Sequence, residues 1–147
     1  MKTTTLLRIS SILSLLFWAG HTLGRPWTPA KAADAQAVVQ SMKALSFDAM
    51  GSSRSYWDFY YGFGVSISVY MLAQALVLWL MASMARTDAA RLRPLIAVFA
   101  LTHIVNAFIV GKYFFILPLI FSLVIALCLI LTFASARRTV ATESAAT

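Results

Sequence analysis

Four long apolar stretches dominate the chain, separated by segments in which polar and charged residues collect. They run from Leu6 to Gly24, Phe59 to Met84, Pro94 to Val110 and Tyr113 to Ala134. Each is close to the ~20 residues that an α-helix needs to cross a bilayer. None shows the strict apolar–polar alternation of a barrel strand, which excludes a membrane barrel. In hydrocarbon that leaves helices, which satisfy their own backbone groups. The pattern predicts an all-α integral membrane fold: a four-transmembrane-helix bundle forming one domain over residues 1–147.

The interval between the first two stretches, residues 25–58, is the longest polar one and is expected to be an outer loop. Pro26 and Pro29 forbid continuation of the first helix. Within the loop, Val38, Val39, Met42 and Leu45 recur at helical spacing, with Gln36, Gln40 and Lys43 elsewhere on the wheel. This predicts a short amphipathic helix over Ala33 to Leu45. Gly51, Ser52 and Ser53 read as a turn. Ser55, followed three residues later by Asp58, forms a capping-box pattern at the start of the second span. Tyr56, Trp57, Phe59, Tyr60 and Tyr61 then supply an interfacial aromatic belt. Pro94 suits the first turn of the third span. Gly111 and Lys112 are expected to make a tight outer turn, with Pro118 tolerated near the start of the fourth span. Short connections make spans two, three and four antiparallel neighbours. Residues 139–147 read as a polar tail without a fold of its own. Gly20 with Gly24, and Gly64 with Ser68, are small-residue pairs that allow helices to approach closely.

A hydrophobic content of 61% and a mean hydropathy of +0.81 exceed what a soluble domain of 147 residues is able to bury. The net charge of +7 does not point to nucleic acid, because the cations flank the apolar stretches and form no basic patch interleaved with aromatics. They bear on orientation instead. Of the twelve Lys and Arg residues, seven (Lys2, Arg8, Arg86, Arg91, Arg93, Arg137, Arg138) fall on the side of the N-terminus, second loop and C-terminus. The positive-inside bias then predicts both termini in the cytoplasm. A cleaved signal ahead of Arg25 is the alternative for the first stretch. The bulky Phe17 and Trp18 and the polar His21 fit a retained helix better. The single cysteine, Cys128, excludes an internal disulfide and a CxxC motif.

Polar residues inside spans are costly, so each raises the question of its partner. With 1.5 Å rise per residue, His21 lies ~4.5 Å below the outer end of the first span, Asn106 ~6 Å and His103 ~10 Å below that of the third. His103 and Asn106, spaced i and i+3, share a helix face. Arg54 and Asp58 stand at the outer start of the second span and are placed to pair. These five residues, His21, Arg54, Asp58, His103 and Asn106, form the candidate polar pocket. Bland roles stand beside it: a helix cap for Asp58, an interfacial position for His21, an interhelical clasp for His103 with Asn106, and an interfacial anchor for Lys112. No HxxxH or ExxH spacing supports a metal, no cofactor is expected, and phosphate loops and GxSxG are missing.

The stretches GHTLGRPWTP (20–29), GSSRSYWDFYYGFGVSISVYML (51–72) and YFFILP (113–118) resemble a family of small bacterial four-helix membrane proteins of uncharacterised function. The resemblance covers nearly the whole chain, with RSYWDFYYGFG its most specific part. It implies a multi-pass protein of the bacterial inner membrane and carries no activity with it. The leading expectation is binding of a lipid-like molecule, or of a membrane partner, at the outer leaflet. A membrane enzyme using His21, His103 and Asp58 for proton transfer is the alternative. An accessory subunit docked on a larger complex, or a homo-oligomer, is a third.

Overall fold

The computed structural model describes residues 2–24 and 31–136. The proline stop at residues 25–30 and the tail from residue 137 onward, with Arg137 and Arg138, lie outside the described residues. Helix α1 spans Lys2–Gly24 and α2 Ala33–Ala44. A hairpin of β1 (Ser46–Ala49) and β2 (Ser52–Ser55) follows, then α3 (Tyr56–Asp88), a 3-10 turn (Ala90–Leu92), α4 (Arg93–Tyr113) and α5 (Ile116–Ser135). Among the described residues, four helices are long and apolar enough to cross a membrane: α1, α3, α4 together with its leading turn, and α5. The chain divides into two compact units, Leu16–Ala73 and Met1–Leu15 with Gln74–Thr147.

In the second of these, each helix buries a narrow stripe with alternating spacings of three and four. The stripes are Thr3, Leu7, Ser10 and Ser14 on α1, Ala75, Leu78, Ala82 and Ala85 on α3, Ile96, Ala100, His103, Ala107 and Val110 on α4, and Ser122, Ile125, Leu129 and Thr132 on α5. That 3–4 alternation is the seam of a left-handed helix bundle. Its composition is unusual for a core, because alanine, serine and threonine outnumber the large aliphatics. Most large side chains face outward. Ala107 is 7% exposed, while its neighbour Phe108 is 77% exposed. Small interior residues let the backbones come close, so that packing and interhelical hydrogen bonds hold the helices together. The buried hydroxyls are satisfied locally. Ser10 donates to the Leu6 carbonyl at 3.0 Å and Ser14 to the Ser10 carbonyl at 2.9 Å, while Ser11 crosses to the Ala75 carbonyl at 2.7 Å. Thr3 and Ser135 share a hydrogen bond of 2.9 Å between α1 and α5.

The α4–α5 connection differs from the sequence expectation. The helix runs through Gly111 and Lys112 to Tyr113, and the chain reverses at Phe114 and Phe115, both extended. Glycine here serves close packing: a methyl group at Gly111 would meet Leu119 of α5 at 3.6 Å. Pro118 is the third residue of α5, where its missing N–H is no loss.

The unit of residues 16–73 holds α2, as expected from its spacing, and the hairpin, which was not expected. Ser46 pairs with Ser55 and Ala49 with Ser52. Met50 and Gly51 make the two-residue tip with φ of 53° and 82°, the conformation that matches strand twist in tight hairpins. The Asp48 carboxylate accepts the Gly51 N–H at 3.3 Å. A lone hairpin is marginal in water. This one is pinned by Phe47, whose ring lies 5.0 Å from Tyr56 and 5.4 Å from Phe59 at the start of α3.

Candidate functional site

Within residues 16–73, Ser55 and Asp58 form the complete capping box read from the sequence. The Asp58 carboxylate accepts the Ser55 N–H at 2.8 Å and its hydroxyl at 2.9 Å, and the Ser55 hydroxyl accepts the Asp58 N–H at 3.2 Å. Arg54 is exposed and donates to the Ser53 carbonyl at 2.8 Å. The expected Arg54–Asp58 pair is not formed. Both groups are held by nearer partners, and the ion pair among the described residues is Arg91 with Asp88 at 3.1 Å. His21 Nε2 meets the Gly64 carbonyl at 3.2 Å, and one residue on, Thr22 donates to Ser68 at 3.0 Å. Gly64 and Ser68 therefore serve the α1–α3 contact as a small-residue pair. Gly20 and Gly24 do not, since a methyl group at either would stand in open space. Of the belt aromatics, Tyr56, Tyr60 and Tyr61 are exposed and Trp57 is half-buried, with Lys43 Nζ 5.2 Å from its ring.

His103 and Asn106 belong to the other unit. They share a face of α4 as their spacing requires, but they do not bond as a pair. Asn106 donates from Nδ2 to the Ser122 hydroxyl on α5 at 2.9 Å, and Ser122 donates on to the Pro118 carbonyl at 2.9 Å. His103 turns to α3, where Gln74 Nε2 lies 2.6 Å from its Nε2. The imidazole is 4% exposed, and its Nδ1 is buried without a hydrogen-bond partner. With Nε2 accepting from the Gln74 amide, the neutral ring carries its proton on Nδ1, a donor with nothing to receive it.

Gln74 is the functional candidate that sequence reasoning left out of the pocket. Its signal was available in the short α3–α4 connection. Counting helical rise, Gln74 lies ~21 Å from the end of α3 and His103 ~15 Å from the start of α4, with the 3-10 turn adding ~6 Å on the α4 side, so antiparallel packing sets them at similar levels. The five candidates thus divide by partner. His21, Arg54, Asp58 and Asn106 each have hydrogen bonds within their own units, and His103 keeps an unmet polar atom. Among the described residues, no three His, Cys, Asp or Glu side chains cluster as metal ligands. No protein-family model, curated protein or solved structure matches the chain.

Proposed function

We propose that this is a multi-pass protein of the bacterial inner membrane, with both termini cytoplasmic, that binds a lipid-like molecule through His103 and Gln74. The membrane part of the reading is supported by the composition of the core, where small and hydroxylic residues outnumber large aliphatics, while most Leu, Ile, Val and Phe side chains are exposed. In water such an exterior would be an apolar patch far beyond what a monomer tolerates. In a bilayer it is the surface that meets acyl chains.

The observation that carries the binding part is the unmet Nδ1 of His103. Interhelical hydrogen bonds in membranes contribute ~0.6 kcal/mol on average. A buried polar group left unsatisfied costs about 1–3 kcal/mol. The Gln74 clasp alone therefore does not offset the burial of this imidazole. A ligand carbonyl or hydroxyl oxygen, as on a quinone or sterol, would supply the acceptor. Gln74 is half-buried, whereas Nδ1 itself is fully covered, so binding requires the side chains of α3 and α4 around it to give way. Proton transfer with Asp58 gains no support, because that carboxylate is engaged as a helix cap.

The test is mass spectrometry of small amphiphiles that copurify with the intact chain and with His103→Leu. Loss of a species from a variant that accumulates normally is expected. An unchanged set of copurifying molecules would contradict the reading.

A further inference from the structure

Where α1 and α4 begin and α3 and α5 end, one end of the four-helix unit collects cations. Lys2 and Arg8 come from α1, Arg86 from α3, Arg91 from the 3-10 turn and Arg93 from α4. The Thr3–Ser135 hydrogen bond brings the α1 start level with the α5 end. Among the described residues Asp88 is the acid at this end, and its contact is Arg91. Lys2, Arg8, Arg86 and Arg93 make no ion pair with a carboxylate among the described residues.

Two of these four cations are seated on aromatic rings. The Arg8 guanidinium lies 5.1 Å from the centroid of Trp79, and that of Arg93 lies 4.3 Å from the centroid of Phe133. Arg8 differs further: it is half-buried, and its Nε is buried without a hydrogen-bond partner. It stands ~9 Å along α1 from the helix start. Helical side chains lean toward the N-terminus, so this long one reaches back toward the membrane surface at that end.

We propose that Arg8, held on Trp79 at the same end of the unit as Lys2, Arg86 and Arg93, binds the phosphate of an anionic phospholipid headgroup. The inference rests on the reading that the four helices span the bilayer. Charge complementarity selects the ligand: an excess of cations at one end of the unit, one of them with an unmet N–H donor on a side chain that reaches toward that end. The guanidinium fork matches phosphate oxygens in a bidentate way that an ammonium does not reproduce. The indole face fixes that fork in place. A diffuse basic surface would depend only on the number of charges, whereas this site depends on arginine and on the ring beneath it.

The experiment uses the full chain in nanodiscs of phosphatidylcholine mixed with phosphatidylglycerol, followed by native mass spectrometry of the released protein. Wild type is expected to retain phosphatidylglycerol over phosphatidylcholine, and inorganic phosphate is expected not to displace it. Arg8→Lys and Trp79→Leu should each weaken that retention about tenfold or more, as loss of a charge-assisted hydrogen bond does. Lys43→Gln, which removes a positive charge outside the site, should leave it unchanged. Arg8→Lys and Trp79→Leu retaining the lipid like wild type would overturn the site, as would displacement by free phosphate. A wild-type chain that does not insert into the nanodiscs at all would instead sink the four-span reading, and this inference with it.

Discussion

Replacing His103 by leucine separates a ligand site from a structural clasp, because the two make opposite predictions for stability. The substitution removes the 2.6 Å contact with Gln74, worth ~0.6 kcal/mol on average and up to ~1.7 kcal/mol between membrane helices. It also removes the buried Nδ1 that has no partner, relieving a cost of about 1–3 kcal/mol. Leucine is of comparable bulk, so no large cavity arises at a position flanked by Ala100 and Ala107. Gln74 is partly exposed and is free to turn its amide away once the imidazole is gone. The ligand-free variant should therefore be as stable as wild type, or more stable by about 1 kcal/mol. Equilibrium unfolding of delipidated protein in detergent, monitored by helical circular dichroism, measures this. A loss of more than ~2 kcal/mol would instead make His103 a clasp that holds α3 to α4.

Two further predictions follow from packing and capping. Ala107→Leu forces bulk into the buried stripe of α4 and should destabilise by about 1–3 kcal/mol, whereas Phe108→Leu on the exposed face should stay within ~0.5 kcal/mol; the same unfolding assay compares them. Ser55→Ala deletes the hydroxyl that accepts the Asp58 N–H, so amide hydrogen exchange in the first turn of α3 should quicken, and Ser55→Asn, another good N-cap, should restore protection.

The four long apolar helices were legible because continuous apolar length is a one-dimensional signal. The sequence-predicted ends fall short of the observed ones at Lys2, Tyr56 and Asp88, since helices continue into polar flanks that hydropathy cannot score. The capping box at Ser55 and Asp58 was legible for the same reason: both partners lie within four residues of each other. The hairpin was not. Its second strand, Ser-Ser-Arg-Ser, lacks β-branched and aromatic residues, and its stability comes from Phe47 packing on the next helix. Pairings of polar residues across helices were also hidden. The spacing of His103 and Asn106 shows a shared face, but that face touches two neighbours, and each residue chose a different one. Which of Gly20, Gly24, Gly64 and Ser68 packs is likewise a matter of how helices face each other, and a GxxxG pattern alone does not reveal it.

A four-span topology requires α3 to pass through hydrocarbon from end to end. In a chain whose native Cys128 is replaced by serine, single cysteines at Lys43 and Arg91 probe the two sides, labelled with a membrane-impermeant maleimide on intact cells and on inverted vesicles. Labelling of position 43 from outside and of position 91 from within is the predicted result. Both positions reacting from the same side would contradict the four-span arrangement.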